Sequence, residues 1–333
     1  MEIREVSYGS SDDLSDFLQV AADVYRSDPI WVPEMLTGAV MRGIQPRQRL
    51  RAVLVIEGTR ATARAAFFPA ESGTVGQIGF FEAVHPAAGK AVLARCEERL
   101  RQLGMERILA PKVDSTSLGL LAAGFRLPQT ILTNHNPAFY KDIFLETGYR
   151  VEQTLYSYLF NRRTARLLRR SVPNVQVRSL NLERLDAEIR IFHALQMAIF
   201  AESPDYAARS LEDDRSLVAG LRPYLDPDLV LIAEDMTGKP IGLLVCLPDM
   251  YQKLQGHSVD RARIISVGAL PGQQNRGVGV ALVTRLVDTL LAKGYNTVEA
   301  SWIQAYNKRP QNLAKRFLGT KGREFILLGK DLA

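Results

Sequence analysis

The stretch that decides the fold runs from Ala262 to Gly294 and reads ARIISVGALPGQQNRGVGVALVTRLVDTLLAKG. It begins as an apolar strand, Ile264 to Leu270, which Pro271-Gly272 ends. A glycine-rich turn, Gln274 to Gly279, then leads directly into a helix. Glycine lets the backbone come close to a ligand, and the first turn of a helix offers unpaired N–H groups at the positive end of a dipole. A strand, such a turn and a helix in this order predict a phosphate-binding site.

The composition indicates a globular protein with enough apolar residues for a sizeable core. The chain has 333 residues, 47% of them hydrophobic and 23% charged, and this length favours two domains. The formal net charge of +6 is spread along the chain and gives little support for a nucleic-acid partner. No apolar run reaches the length of a membrane span and no apolar signal core opens the chain. We therefore expect no membrane span and a cytoplasmic protein.

Metal and disulfide chemistry are not expected from the sequence. The four histidines are scattered without the spacing of metal ligands. Cys96 and Cys246 each lie inside an apolar periodic segment, which is typical of a small buried hydrophobe.

The order of predicted elements indicates one plan used twice. Residues 1–160 read as a mixed α/β domain, and residues 174–333 repeat the alternation of strands and helices. Between them the segment Asn161 to Pro173 holds five arginines and ends in proline. We interpret this segment as a basic connector, and the two copies as an α/β class with mixed sheets.

The turn also carries a family resemblance. Gln274-x-x-Gly277-x-Gly279 resembles the signature of the GNAT acyltransferases, which use acyl-coenzyme A. The chain further resembles little-characterised bacterial tandem-GNAT proteins, through Tyr25 to Pro33, Gly79 to Glu82 and Leu247 to Gln252. The resemblance implies two tandem GNAT-like domains, the second of which binds acyl-CoA.

This resemblance also implies how the coenzyme is held. Its pyrophosphate is expected on the backbone N–H groups of the turn, with Arg276 adding positive charge. Its pantetheine arm is expected to lie along the strand like an added strand, in a slot opened by a splay beside Trp302 and Ile303. Backbone N–H groups near Gly268 to Leu270 are expected to polarise the thioester carbonyl. The expected coenzyme-binding residues are Val267, Gly268, Ala269, Leu270, Gln274, Asn275, Arg276, Gly277, Val278, Gly279 and Asn307.

The first copy departs from the pattern at the matching place. The segment that follows Phe80-Phe81-Glu82 contains His85 and Pro86 and only one glycine, Gly89. Proline removes a donor from the turn that would bind phosphate. We therefore expect that the first copy does not bind coenzyme A.

The catalytic residues are less well defined. Many GNAT enzymes use a tyrosine of the last helix as the acid, but Ala314 lies near that position here. Tyr306 is the nearest phenol and the candidate acid, with a packing role as the alternative. Glu299 is a candidate base acting through water, or an outward-facing strand residue. Asn307 either binds the pantetheine amide or caps the next helix, and Asp249 either contacts the acceptor amine or forms a turn.

The expected function is transfer of an acyl group from acyl-CoA to an amine of a small molecule or peptide, without a metal. One alternative is a non-catalytic acyl-CoA-binding or sensing protein, which the missing helix tyrosine favours. Another is an aminoacyl transferase of the Fem type, which takes its donor from charged tRNA; the intact coenzyme turn argues against it. The acyl length, the acceptor and the oligomeric state stay open.

Overall fold

The structure is a computed structural model and describes residues 1–6, 11–32, 51–114, 117–162, 172–201, 203 and 208–332. The chain divides into two compact units. The first unit comprises Met1–Leu155 together with Arg323–Ala333, and the second comprises Tyr156–Gly322. The expected domain boundary near residue 160 thus falls inside a strand, and the last segment of the chain belongs to the first unit. Residues 163–171 of the predicted connector lie outside the described residues.

The first unit is built on strands that run antiparallel apart from one parallel pair. Its elements are β1 (Glu2–Val6), α1 (Ser11–Val24), β2 (Ala52–Glu57), β3 (Arg60–Phe68), β4 (Val75–Ala83), α2 (Pro86–Gln102), β5 (Arg107–Ala110), β6 (Lys112–Asp114), β7 (Ser117–Leu118), β8 (Leu120–Ala123), α3 (Tyr140–Glu146) and the first part of β9 (Arg150–Asn161). The strand order is β1-β2-β3-β4-β5. The β4–β5 pair is parallel, and α2 is the crossover between them.

The side chains of β2 point alternately to the two faces of this sheet, which explains how helices pack on both faces. Val53 and Val55 belong to the core beneath α2, whereas Leu54 and Ile56 pack with Phe17 of α1. Successive side chains of a strand point to opposite faces, so a strand covered on both faces is apolar throughout.

The second unit repeats this arrangement. Its elements are β10 (Gln176–Ser179), α4 (Leu185–Phe200), α5 (Leu211–Leu221), β11 (Val230–Glu234), β12 (Pro240–Pro248), α6 (Met250–Leu254), β13 (Arg261–Ala269), α7 (Val278–Ala292), β14 (Thr297–Gln304), α8 (Lys308–Arg316) and the start of β15 (Thr320–Asp331). The strand order is β10-β11-β12-β13-β14, with only β13–β14 parallel among these neighbours. Helix α7 buries Val278, Leu282 and Leu286 against this sheet.

Most predicted elements are present within a few residues of their expected ends. The sequence from Asn136 to Thr147 predicts a helix, but the helix begins only at Tyr140. The side-chain oxygen of Asn136 instead accepts a hydrogen bond from the Leu121 amide, and its side-chain nitrogen donates to the Leu121 carbonyl oxygen. The short strands β7 and β8 and the short helix α6 were not predicted, because segments of two to five residues carry no clear periodicity.

Candidate active site

The strands β13 and β14 pair over only part of their length. Their parallel register runs from Arg261 opposite Thr297 to Ile264 opposite Ala300. Beyond these residues β13 continues to Ala269 and β14 continues to Gln304, but in the described part of the chain the two strands do not pair with each other there. The two strands therefore separate beside Trp302 and Ile303, where the sequence predicts the slot.

The backbone of β13 presents alternate amides to this slot. The Leu270 amide donates to the Ile241 carbonyl oxygen at 2.9 Å, and the register places Gly268 opposite Leu243 on β12. Because hydrogen-bonded and non-hydrogen-bonded pairs alternate in an antiparallel ladder, the amides of Val267 and Ala269 point away from β12. The expectation that the amides of Leu270 and Gly268 are open to a ligand is therefore corrected, since Leu270 bonds to Ile241 and Gly268 forms the next hydrogen-bonded pair, with Leu243.

Helix α4 covers the face of β13 that carries Ser266 and Gly268. The side-chain amide of Gln196 donates to Ser266 Oγ at 3.3 Å. A Cβ added to Gly268 would lie 2.4 Å from Cγ2 of Ile199. Glycine at residue 268 is thus required by the close approach of α4, and not by a left-handed backbone.

The turn predicted to bind phosphate contains two residues with a left-handed backbone. Asn275 and Gly277 have φ angles of 63° and 84°, a conformation that glycine adopts freely and asparagine more readily than most residues. Gly277 is the N-cap of α7 and has no side chain to cap it, and among the described residues no side chain bonds to the first-turn amides of α7. Arg276 is exposed on the turn. The Gln274 side chain accepts a hydrogen bond from Arg309 Nη1 at 2.7 Å.

Both signature glycines also permit close contacts. A Cβ on Gly277 would lie 2.7 Å from Cγ1 of Val172, and a Cβ on Gly279 would lie 3.3 Å from Cδ2 of Leu313. The second contact brings α7 close to α8, and the first brings the start of α7 close to Val172.

A buried polar cluster lies where β13 and β14 separate. Arg263 is 1% exposed, and its guanidinium donates to the Ser301 Oγ at 2.9 Å and to the Ser301 carbonyl at 3.1 Å. The same guanidinium stacks over the Trp302 ring. Glu299 is buried and lies opposite Arg263 in the register. Glu299 therefore does not face outward, and it belongs to the paired part of the two strands.

The other candidate residues are placed differently from one another. Tyr306 is 55% exposed in the turn between β14 and α8. Asn307 is the N-cap of α8 but makes no side-chain capping bond, so the capping interpretation does not hold. Asp249 is fully buried, accepts the Tyr251 amide as the cap of α6, and pairs with Arg261 at 2.8 Å. These bonds give Asp249 a structural role.

The first unit has the same strand geometry, but its slot is filled. The Val84 amide donates to the Thr62 carbonyl at 2.9 Å, as Leu270 does to Ile241. The equivalent of Ala269 is therefore Ala83, whose amide donates to the Tyr140 hydroxyl at 2.7 Å. That hydroxyl donates to Glu82 Oε2 at 2.8 Å. Burial, followed by the Glu82 carboxylate, raises the pKa of Tyr140 well above its ordinary value, so the hydroxyl stays protonated.

The turn of the first unit is also closed to an anion. Helix α2 begins at Pro86, which has no amide hydrogen. His85 caps this helix by accepting the Ala88 amide on Nδ1 at 3.3 Å, and its Nε2 lies 2.9 Å from Glu57. The His85 hydrogen bond lowers the pKa of Glu57, which keeps a negative charge beside the turn. A phosphate would meet a filled cap and a carboxylate.

One polar cluster in the second unit, formed by His193, Arg209 and Asp214, could not be predicted from the sequence. His193 Nδ1 lies 2.8 Å from Asp214 Oδ2, and Arg209 Nη2 lies 3.0 Å from Asp214 Oδ1. Asp214 is 1% exposed. No sequence pattern joins these residues, because they lie on different helices.

Among the described residues, no helix has both the length and the apolar character that crossing a membrane requires. No group of three or more His, Cys, Asp or Glu side chains in that part of the chain is arranged to hold a metal ion.

Comparison with known proteins agrees with this geometry. Residues 191–320 match the model of the Acetyltransferase (GNAT) family. A solved tandem GNAT protein from the clavulanic acid biosynthesis pathway aligns with a TM-score of 0.65 at 13% identity, over 100% of this chain and 99% of that chain. The predicted fold of two tandem GNAT-like domains is therefore confirmed.

Two curated relatives are similar in sequence. Bacterial ceramide synthase from Caulobacter vibrioides (strain NA1000 / CB15N) is 23% identical over 96% of this chain and 95% of its own length. Mycothiol acetyltransferase from Beutenbergia cavernae is 32% identical over 129 residues, which is 38% of this chain and 40% of that protein.

Proposed function

We propose that the protein is an acyl-CoA-dependent N-acyltransferase whose second unit binds the coenzyme. The observation that carries this proposal is the separation of β13 from β14 beside an uncapped, glycine-rich start of α7. The pyrophosphate binds the amides from Gln274 to Gly279, and Arg276 adds charge. The pantetheine arm lies along β13.

The chemistry of the proposal is direct attack of a neutral amine on the thioester. The open amides of Val267 and Ala269 stabilise the negative charge that develops on the carbonyl oxygen. Tyr306 remains our candidate for the acid that protonates the leaving thiolate, and Asn307 for a ligand of the pantetheine amide. Glu299 remains a candidate base that acts through water, from its buried position on β14.

We propose a long-chain amino alcohol as the acceptor and a fatty acyl-CoA as the donor. This follows from the relative named bacterial ceramide synthase, which aligns with 96% of this chain. Ceramides are N-acylated long-chain amino alcohols, so an enzyme of this kind joins an acyl group to an amine. A second candidate, acetyl transfer to a small polar amine, is favoured by the 32% identity to a mycothiol acetyltransferase over 129 residues.

The test is release of coenzyme A, followed with a thiol reagent. Both cysteines are buried, and burial raises their pKa values, so the protein's own thiols react slowly. Palmitoyl-CoA and acetyl-CoA are each combined with sphinganine and with a panel of polar amines that includes glucosamine and cysteine methyl ester. Products are identified by mass spectrometry. Palmitoyl transfer to sphinganine supports the first acceptor class, and acetyl transfer to polar amines alone supports the second.

A charge-reversal variant on the turn tests the coenzyme site, and the same change elsewhere on α7 is its control. Arg276→Glu places a carboxylate beside the pyrophosphate and is expected to weaken acyl-CoA binding about tenfold or more. Arg285→Glu makes the same charge change at another exposed position of α7 and is expected to leave binding within about twofold, because it lies near or beyond the Debye length. Tight acyl-CoA binding without transfer to any amine would instead indicate the sensing protein.

A further inference from the structure

A histidine–carboxylate pair lies on the two helices that follow β10. His193 is on α4, and Asp214, which its ring contacts, is on α5. The Asp214 side chain is 2% exposed, whereas the His193 side chain is 24% exposed. A buried carboxylate therefore holds a partly accessible imidazole, with Arg209 as the second partner of that carboxylate at 3.0 Å.

The pair lies next to the surface of α4 that covers β13. Gln196 is three residues from His193 and three residues from Ile199, so it neighbours each of them on the helix surface. Gln196 bonds to Ser266, and Ile199 meets Gly268. His193 thus lies about one helical turn, roughly 5 Å, from the residue that touches β13. Ser266 and Gly268 flank Val267, whose amide faces the slot.

The hydrogen bond to Asp214 sets the tautomer of the ring. A carboxylate accepts, so Nδ1 carries the proton and Nε2 keeps its lone pair when the imidazole is neutral. Among the described residues, no group forms a hydrogen bond with Nε2 of His193. In this arrangement Asp214 orients the imidazole of His193, whose Nε2 can act as a base.

We infer that His193 is the catalytic base that takes the proton from the acceptor's ammonium group, with Asp214 as its positioning residue. This inference rests on the proposed acyl transfer. His193 Nε2 accepts one proton, and the neutral nitrogen attacks the thioester carbonyl carbon. The C–N bond forms and the C–S bond breaks, and the second proton lost by the nitrogen passes to the departing thiolate. The products are an amide, coenzyme A and a protonated His193, which returns its proton to solvent.

Position distinguishes His193 from Glu299 as the base. Glu299 is 3% exposed and lies in the paired part of β13 and β14, opposite Arg263. His193 is the more accessible of the two side chains. Among the described residues, the charged groups that face the ring are Asp214 on α5 and, through Asp214, Arg209 before that helix. The β13 residues beside this face of α4, Ser266 and Gly268, carry no charge.

The kinetic test compares His193→Gln with a matched control at an exposed histidine, His257→Gln. We expect His193→Gln to lower kcat about 100-fold or more and to leave the KM for acyl-CoA unchanged. The decrease in rate on the acid side of the pH profile should disappear in this variant and persist in His257→Gln. A kcat within threefold of wild type, or an unchanged acid limb, would overturn the assignment.

The positioning role is tested at Asp214. Asp214→Asn should lower kcat and shift the acid limb of the pH profile, and Asp214→Glu should restore part of both. Equal losses in both variants, with a lowered free energy of unfolding, would show that the pair only ties α4 to α5.

Two measurements separate this inference from the proposed function. Calorimetry should give His193→Gln the acyl-CoA affinity of wild type, because His193 is outside the coenzyme turn. The protein has only four histidines, so their ring ¹⁵N signals can be assigned by single substitutions. Adding the amine acceptor to the coenzyme-bound protein should move the His193 Nε2 signal, and an unmoved signal would contradict the inference. If wild type transfers an acyl group and His193→Gln does so equally, only the inference fails; if wild type transfers none, both fail.

Discussion

The amide of Ala83 donates to the Tyr140 hydroxyl at 2.7 Å, in the first unit. Ala269 occupies the same place in the second unit, because Val84 and Leu270 follow with the same 2.9 Å bond to the neighbouring strand. The Ala83 amide bonds to a side chain of its own unit, whereas the Ala269 amide points into the slot between β13 and β14. This difference supports the proposal that only the second unit binds the coenzyme.

Removing the Tyr140 hydroxyl should destabilise the first unit. In Tyr140→Phe the buried Ala83 amide loses its acceptor, and Glu82 loses one of its donors. We expect the free energy of unfolding to fall by about 1–3 kcal/mol, measured with denaturant. Tyr306→Phe is the control, since that side chain is 55% exposed and should change stability by less than about 0.5 kcal/mol. An unchanged stability in Tyr140→Phe would contradict the interpretation of the filled slot.

Substitutions at Gly268 and Ile199 should have non-additive effects on the free energy of unfolding. Gly268→Ala introduces a Cβ that would lie 2.4 Å from Ile199 Cγ2, and such overpacking costs about 1–3 kcal/mol. In an Ile199→Ala background the same substitution should cost less, because the clashing methyl group is gone. A double-mutant cycle on the free energy of unfolding measures this difference. Additive effects would mean that α4 does not approach β13 as described.

Asp28 should contribute to stability at neutral pH and lose that contribution in acid. Burial raises the pKa of Asp28, but the hydrogen bonds from His135 and from the Ile30 amide outweigh it and hold the pKa below its ordinary value. The folded pKa is depressed, so the stabilisation is present above the unfolded value near 3.9 and disappears as the pH falls through the folded value. The free energy of unfolding of Asp28→Asn should therefore change less than that of wild type between pH 5 and pH 2. Parallel pH profiles would refute this assignment.

Tyr306 offers a test of the acid that the sequence predicts. If its hydroxyl protonates the leaving thiolate, Tyr306→Phe should lower kcat about 10-fold to 100-fold and leave acyl-CoA affinity unchanged. Steady-state kinetics and calorimetry measure the two quantities. A kcat within twofold of wild type would show that the thiolate leaves without this phenol.

The turn and the start of the helix after it could be predicted, because their signal is local. Gln274 to Gly279 combines glycines, a strand before it and an apolar helix after it, and the structure places α7 at Val278 with Gly277 as its cap. The degenerate turn at His85 and Pro86 was equally readable, since a proline in the first helical turn removes a donor whatever surrounds it.

Features that depend on distant residues could not be predicted. Tyr140 reaches Ala83 across 57 residues, and His193 reaches Asp214 across 21 residues. The assignment of Leu270 to the coenzyme failed for a similar reason, because strand register decides which amides remain open. The return of residues 323–333 to the first unit is likewise a matter of pairing between strands far apart in sequence.

The most direct test of the central claim is a calorimetric titration of the full chain with coenzyme A. The two-unit account predicts one site per chain, weakened about tenfold or more by Arg276→Glu and unchanged within about twofold by Arg285→Glu. Two sites per chain, no binding, or equal affinities in the two variants would contradict the assignment of the coenzyme to the turn of the second unit.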